Sequence, residues 1–235
     1  MTIGGVTNSA SGAVGPLAPG ELVSIYGTGL GPASGVPFTV NPTTGGVDTT
    51  LGGTKVLFGS VAAPITYASA TQVNAVVPYE MAGQSQISMR VQSQAGSASQ
   101  TVQIASAAPG VFMLTTTGFG QAAAVNLDYS INGPDHPRGE ELVRDGLFHR
   151  RRPDRSSRVT GSVTGLVLKW LTQPVSVTVG NQPATAQFCG AAPTDVDGVN
   201  QLNIQLASNT PSGAQPVVIT VGGVTSPSTA TIYVQ

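Results

Sequence analysis

The chain contains two copies of one sequence pattern, and this repeat limits the possible folds more than any other feature. Segment 56–77 (VLFGSVAAPITYASATQVNAVV) matches segment 177–206 (VTVGNQPATAQFCGAAPTDVDGVNQLNIQL). A duplication of about one domain predicts two tandem domains, with equivalent strands at 56–58 and 177–179. Both copies share an apolar run, a glycine, a proline and a Gln-apolar-Asn triplet: Gly59, Pro64 and Gln72-Val73-Asn74 in the first, and Gly180, Pro183 and Gln201-Leu202-Asn203 in the second.

Apolar runs of strand length occur along the whole chain. Examples are ELVSIYG, TKVLFG, QISMRVQS, QPVSVTVG and QLNIQLAS, and Gly, Pro, Asn or Ser separates them. Period-two alternation between such breakers is typical of antiparallel strands in sandwiches. No segment has sustained helical periodicity with caps. We therefore predict an all-β protein with one sandwich at 1–107, a linker with an inserted hairpin at 108–136, and a second sandwich at 137–235.

Composition excludes few functions but favours none. Only 9% of the 235 residues are charged and the net charge is −1, so there is no global case for nucleic-acid binding. The one cysteine, Cys189, is predicted to be a small buried residue, with a nucleophile or an intermolecular disulfide as the alternatives. The N-terminus has no signal-peptide pattern, and no apolar run is long enough to span a membrane. These features predict either a cytosolic protein or one piece of a longer secreted protein.

Several segments of the sequence resemble known protein families. PLAPGELVSIYGTGLGP, VLFGSVAAPITYASATQVNAVVPYEMAG and PVSVTVGNQPATAQFCGAAP, with AAPGVFM and PSGAQPVVITVGGVTS, resemble the Solibacter-type uncharacterised C-terminal domain common in acidobacterial proteins. Each half also resembles an IPT/TIG domain, which opens G-x-x-V-x-I-x-G-T-G-L. The resemblance covers nearly the whole chain except about 140–160. It implies two tandem immunoglobulin-like (IPT/TIG-like) β-sandwiches, in an extracellular module at the end of larger proteins, without an established activity.

The segment 139–158, GEELVRDGLFHRRRPDRSSR, interrupts this pattern. Residues 135–158 hold 12 of the chain's 21 charged residues and both histidines. The second repeat begins correctly, because 137–142 (PRGEEL) parallels 19–22 (PGEL). The strand and the T-G-x-G turn that should follow are absent. A coding sequence compatible with residues 143–156, when read one nucleotide further on, translates as FVMAFSTGEGQTD. This string contains both the missing strand and the missing turn.

We interpret about 143–157 as a frame-shifted tract, with a solvated natural insertion or a basic phosphate-binding loop as the alternatives. The tract lacks strand alternation, and burying its charges would cost several kcal/mol each. We expect an irregular loop there, a second sandwich without the opening strand that the first has at 21–26, and an exposed sheet edge. Replacing the tract with the alternative-frame string should raise the unfolding temperature of the second sandwich.

No residue set has the spacing of a catalytic or metal site. GTGLG (27–31) lacks the nucleotide-binding spacing, and His136 and His149 lack partners at ligand spacing. Asp195 and Asp197 could offer carboxylates to Ca²⁺, but a polar hairpin turn is the favoured interpretation. The candidate ligand-contact residues are aromatic: Tyr79 and Tyr129, named by elimination, and Trp170, for which a core or inter-domain position is favoured.

These observations predict a non-catalytic structural or adhesive module of a secreted or cell-surface bacterial protein. Its expected partners are other domains of a longer parent chain, or surface polysaccharide or protein. We expect no cofactor, no metal and no nucleic-acid partner. The alternative is a carbohydrate-binding module appended to an extracellular hydrolase, which would present a coplanar row of exposed Tyr or Trp. A free-standing enzyme would instead need a cleft with convergent ionisable groups.

Overall fold

The computed structural model describes residues 1–115, 117–137 and 158–235, and nearly all regular structure in them is β-strand. One 3₁₀ turn, Tyr79–Met81, is the exception. The strands are β1 (Thr2–Asn8), β2 (Leu22–Thr28), β3 (Val36–Pro37), β4 (Lys55–Phe58), β5 (Val61–Ala63), β6 (Ile65–Ala68), β7 (Gln72–Val76), β8 (Gln86–Ser93), β9 (Gly96–Gln103), β10 (Gly120–Gln121), β11 (Val175–Val179), β12 (Gln182–Ala191), β13 (Asn200–Gln205), β14 (Gly213–Val221), β15 (Val224–Thr225) and β16 (Ala230–Val234).

The first nine strands form a sandwich of two sheets. One sheet has the strand order β1-β2-β7-β6-β3 and the other has the order β5-β4-β8-β9. Apolar residues at alternate positions, such as Val23 and Ile25 in β2 and Val56 and Phe58 in β4, are fully buried in one core. Period-two alternation in the sequence thus becomes one buried face on each sheet.

The second sandwich follows one path of hydrogen-bonded strands, β10-β16-β14-β11-β12-β13, with β15 added on β14. The ten-residue strand β12 passes from one layer to the other. It pairs with β11 through 182–184 and with β13 through 185–191, and a register shift lies between Ala186 and Phe188. The core contains Val177 and Val179 from β11 and Ile232 from β16. The prediction of an all-β fold with two tandem immunoglobulin-like sandwiches is confirmed.

The repeat is visible in the strand register. The pair β4–β8 aligns Phe58 with Met89, and the pair β11–β14 aligns Val179 with Val217, so the strands at 56–58 and 177–179 are equivalent as predicted. The prolines, however, are not equivalent. Pro183 pairs with Thr178 of β11, and the residue that pairs with the equivalent position of β4, Leu57, is Ala62. Pro183 therefore corresponds to Ala62 and not to Pro64. Pro64, which has no N–H, lies in the first repeat between β5 and β6, whereas β12 continues without a break.

The segment predicted as a linker, 108–136, packs against the second sandwich. Its strand β10 pairs in parallel with β16. An isolated antiparallel bridge between Val125 and Ile131 closes a tight turn in the region where an inserted hairpin was predicted. Four apolar side chains of the segment join the second core: Val111, Met113, Ala122 and Ala124.

The predicted irregular loop at 143–157, and the opening strand predicted to be missing from the second sandwich, lie outside the described residues. Within the described residues, no helix has the length and apolar character that crossing a membrane requires.

Candidate functional site: a buried ionic junction between the sandwiches

The two sandwiches meet along an apolar seam. Val47 and Val76 of the first sandwich pack against Val196 of the second, and all three are buried. Partly buried side chains extend the seam on both sides: Leu22 and Phe38 from the first sandwich, Val163 and Val199 from the second. We call this seam, together with the polar contacts described next, the junction.

Residues 158–164 of the second sandwich, which precede β11, lie across the first sandwich. The N–H of Val47 donates to the carbonyl of Gly161 at 2.8 Å. Thr160 has a double role, because its hydroxyl accepts from the N–H of Tyr79 at 2.9 Å and donates to Glu80 Oε2 at 2.7 Å. Contacts between the two sandwiches therefore include backbone hydrogen bonds as well as apolar surface.

Asp197 is the charged centre of the junction, with 0% of its surface exposed. Arg158 Nη1 lies 2.9 Å from Asp197 Oδ1, and Lys169 Nζ lies 3.9 Å from Asp197 Oδ2. Tyr79, which belongs to the first sandwich, donates its hydroxyl to Asp197 Oδ1 at 3.3 Å. A buried carboxylate without such partners would be strongly destabilising, so Asp197 requires this arrangement of cations and donor.

Two glycines allow the backbones to approach at this point. Gly198, next to Asp197, has φ 138, and a Cβ added to it would overlap the carbonyl oxygen of Gly20. Glycine has no Cβ and adopts positive φ readily. The Asp197-Gly198 pair thus combines a buried charge with a close contact between the backbones of the two sandwiches.

Burial also changes the acidity of Tyr79. Desolvation raises the pKa of its hydroxyl to about 12, because the Arg158 cation lowers this pKa by less than burial raises it. Tyr79 therefore stays protonated across the physiological range and remains a donor to Asp197.

A cavity of about 210 Å³ opens beside the junction. Its wall is mostly apolar and includes Leu171, Leu202 and Val221, whereas Tyr79 and Arg158 contribute polar groups. The cavity is larger than a single water molecule requires. Its lining comes from both sandwiches, so the cavity exists only while they are docked.

Glu21 lies at the first-sandwich side of this cavity. Its carboxylate accepts from Asn8 Nδ2 at 2.8 Å and from the N–H of Ala18 at 2.7 Å. Burial raises its pKa to about 7, and these two hydrogen bonds offset only part of the effect. Asn8 also donates to the carbonyl of Ala108, where the chain leaves the first sandwich. Glu21 thus adjoins both the cavity and the connection between sandwiches.

Cys189 lines the same cavity and is a free thiol. Burial raises its pKa to about 11. The thiolate is the nucleophilic form of cysteine, so this side chain is suited to packing and unsuited to nucleophilic chemistry at neutral pH.

The three aromatic residues proposed from the sequence lie in different surroundings. Tyr79 is half-buried at the junction. Tyr129 is 67% exposed, with φ 65 in the turn between residues 126 and 130. Trp170 is half-buried and packs edge-on against Phe188, with ring centroids 5.1 Å apart.

Residues 195–198 lie in the turn between the antiparallel strands β12 and β13, as interpreted from the sequence, but Asp197 is completely buried there. Asp195 is exposed and caps its own turn by accepting from the N–H of Val196 at 2.8 Å. Asp197 instead faces the other sandwich and is completely buried, because Arg158, Lys169 and Tyr79 surround it. The sequence feature that could have indicated burial of Asp197 is its position between two valines, at 196 and 199, in a chain with few charges. Glu21, Arg158 and Lys169 carried no comparable signal.

The remaining candidates do not join this site. Leu30 of the GTGLG segment is fully buried in the first core, and Gly29 has φ 68. His136 is exposed and pairs with Gly133 through an isolated bridge, whereas His149 lies outside the described residues. Among the side chains that the structure describes, no group of three or more His, Cys, Asp or Glu is placed to hold a metal ion.

The IPT/TIG domain model matches residues 6–104, which is the first sandwich almost from end to end. IPT/TIG domains are typically non-catalytic immunoglobulin-like modules of larger proteins. No curated protein matches the chain. The first sandwich is thus similar to an IPT/TIG domain, and the second repeats its strand register.

Proposed function

We propose that this chain is a non-catalytic structural or adhesive module of a secreted or cell-surface bacterial protein. Its two immunoglobulin-like sandwiches are docked as one unit, so the module holds neighbouring domains of a parent chain at a set distance and direction. This function needs a stiff connection between sandwiches and no reactive group.

The junction is the observation that carries this proposal. A freely hinged pair would not need a fully buried carboxylate shared between its halves, because every opening would expose Asp197 and separate it from Tyr79. Interfaces between domains of one chain are commonly polar and permit motion, whereas an apolar seam with a buried ion pair resists it. The Cys189 thiol supports a non-catalytic role, since burial raises its pKa and so disfavours the nucleophilic thiolate.

The location is tested on cells that encode this sequence. Protease treatment of intact cells should remove the epitope that an antibody raised against the purified chain recognises. A cytoplasmic marker must survive the same treatment. An epitope that is protected until the cells are lysed would contradict a surface location.

Binding is tested by applying the labelled chain to arrays of bacterial cell-surface polysaccharides and proteins. Under the carbohydrate-binding alternative, Tyr129→Ala and Trp170→Ala would each abolish glycan binding while the fold is retained. Under the structural proposal, the chain binds no soluble oligosaccharide, and neither substitution changes its retention on cells.

A further inference from the structure

We propose that the outer face of the β5-β4-β8-β9 sheet binds an acidic polysaccharide, whose carboxylates pair with Lys55 and Arg90. The proposal rests on the adhesive role proposed above and gives that role a surface and a ligand class. Lys55 and Arg90 are the only Lys or Arg residues in the sequence of the first sandwich, and both are exposed on this one sheet. Within the described residues, neither forms a salt bridge with a carboxylate.

The strand register places these two cations next to each other. Lys55 of β4 is opposite Gln92 of β8, and Leu57 is opposite Arg90, so the cations occupy diagonal positions on one face. Diagonal neighbours across an antiparallel pair are about 7 to 8 Å apart, which is within reach of long side chains. Two like charges at that separation repel each other, so the pair does not stabilise the sheet. An anion bound between them would remove this repulsion.

The second sandwich shows that the fold does not require these cations. Its equivalent strand pair, β11 and β14, has the same register, with Ser176 at the position of Lys55 and Val218 at the position of Arg90. A hydroxyl and an aliphatic side chain are therefore compatible with the same strand pairing. The cation pair is specific to the first sandwich, so strand pairing does not explain it.

The carboxylates of the first sandwich lie in other places and have their own partners. Glu21 lies beside the cavity. Glu80 accepts from the hydroxyl of Thr160 at the junction, and Asp48 accepts from Asn41 Nδ2 at 2.8 Å in the loop between β3 and β4. The outer face of the β5-β4-β8-β9 sheet is therefore positive, and its charge is complementary to that of an anion.

The side chains around the two cations suit sugar hydroxyls. Hydroxyl and amide side chains pair across β8 and β9 on the same face as Arg90, as in Ser88 with Thr101 and Gln86 with Gln103. Such groups offer both donors and acceptors, as sugar hydroxyls do. The outward positions of the described strands β4, β8 and β9 hold no aromatic residue, so stacking on neutral sugar rings is not available. Carboxylates of the polymer therefore provide the main attraction, and Arg90 can bind one with two parallel hydrogen bonds.

The number of cations limits the kind of polymer and the strength of binding. Nucleic acid is densely charged, and a protein that binds it neutralises many phosphates, which two cations do not. Exposed ion pairs are individually weak, so a short soluble oligosaccharide is not retained. Retention requires an acidic polymer that contacts many copies of the chain at once.

The test couples the full chain at high density to beads, through a biotin at its C-terminus that leaves Lys55 unmodified. Retention of fluorescent polygalacturonate is then measured at low ionic strength. The native chain should retain the polymer, and the double variant Lys55→Gln/Arg90→Gln should retain about tenfold less. Added salt should release the polymer, because exposed charges are screened. Urea unfolding checks that the two exposed substitutions leave the fold intact.

Two matched controls identify the cause of retention. Methyl-esterified polygalacturonate has the same sugar chain without the charged carboxylates and should not be retained. Replacing Arg150, Arg151 and Arg152 together with glutamine removes more charge than the double variant does, from the other basic segment of the sequence, and should not reduce retention.

Four results would each overturn the proposal: no retention by the native chain, equal retention by the double variant, equal retention of the methyl ester, or loss of retention when the three arginines are replaced. Labelled duplex DNA that is retained as well as polygalacturonate would assign the face to nucleic acid instead. Protease treatment of intact cells tests the surface location separately, so the proposed ligand can be wrong while the surface location stands.

Discussion

Among single residues, Asp197 matters most to the relation between the two sandwiches. It is one of few charged residues in the chain and the one fully buried carboxylate among the described residues. Its partners come from both sides: Tyr79 from the first sandwich, Arg158 and Lys169 from the second. A buried charge has a large desolvation cost, so its partners cannot be removed without a large loss of stability.

Replacing Asp197 with alanine should therefore destabilise the protein by about 3 kcal/mol, because it leaves the half-buried Arg158 cation unpaired. Urea unfolding gives this free energy, and alkylation of Cys189 gives a second readout, since its thiol becomes accessible when the cavity opens. Asp195→Ala is the matched control. Asp195 is exposed and its side chain bonds to the N–H of Val196 within its own turn, so the loss there should be about 1 kcal/mol or less. Equal effects of the two substitutions would contradict the role given to Asp197.

Glu21 makes a prediction about pH. Its pKa rises from 4.5 to about 7 on folding, so the folded state retains a proton that the unfolded state releases. The stabilisation is present in full below about pH 4.5 and disappears as the pH rises to 7. The difference in pKa corresponds to about 3 kcal/mol as an upper bound. Urea unfolding between pH 4.5 and 8 should show this decline, and Glu21→Gln should flatten it. Asp135→Asn, at an exposed carboxyl away from the cavity, is the matched control.

Among structural elements, the loop between β12 and β13 packs against the first sandwich. It carries Val196, Asp197 and Gly198, all three of which contact the first sandwich. In the first sandwich the equivalent connection between β6 and β7 is short, running from Ser69 to Thr71. The second repeat thus has a longer loop at the place where it docks.

Gly198→Ala tests the contribution of this loop. A Cβ there would overlap the carbonyl oxygen of Gly20, so the loop must withdraw and the seam must open. Gly223→Ala is a suitable control because Gly223 also has positive φ, at 87, but has open space around its Cβ position. Both substitutions should cost about 1–3 kcal/mol for the backbone conformation, because both φ values are positive. Only Gly198→Ala should cost more and accelerate alkylation of Cys189. Identical alkylation rates would mean that the contact between Gly198 and Gly20 does not hold the sandwiches together.

In the whole molecule, apolar packing, backbone hydrogen bonds and the Asp197 ion pair act at one interface. Contacts at the connection between the sandwiches add to these, because Gln173 donates to the carbonyl of Ser106 at 3.1 Å and Asn8 donates to that of Ala108 at 3.0 Å. Separate contacts around the same interface restrict rotation in several directions. The two sandwiches should therefore keep one relative orientation in solution.

Distances between spin labels measure this directly. Labels on cysteines replacing Gln100 and Ser176, both exposed on strands of different sandwiches, should give one narrow distance distribution in a Cys189→Ala background. Adding Asp197→Ala should broaden the distribution, because the ion pair no longer favours the docked arrangement. A broad distribution without that substitution would show that the pair is hinged and would remove the main support for the proposed spacer role.

The fold could be predicted largely from the sequence because the features that determine it, strand alternation and the repeat, are visible in short segments of the chain. Alternating apolar residues define one buried face of each strand, and the repeat defines which strands are equivalent, so Val56 and Val177 occupy the same place. The prolines show the limit of this reasoning. Pro64 and Pro183 look equivalent when residues are matched by type, but hydrogen-bond register between strands places them two positions apart.

The candidate site could not be predicted, since its parts are distant in sequence and ordinary one by one. Tyr79 was identified by elimination alone, and Asp197 was interpreted as part of a turn. Docking of the two sandwiches brings Tyr79 to Asp197, whereas folding of the second sandwich brings Arg158 and Lys169 to it from distant positions in the sequence. The same docking closes the cavity beside Glu21, whose lining comes from both sandwiches. Strand patterns depend on neighbours along the chain, whereas burial of a charge depends on what the rest of the molecule places around it.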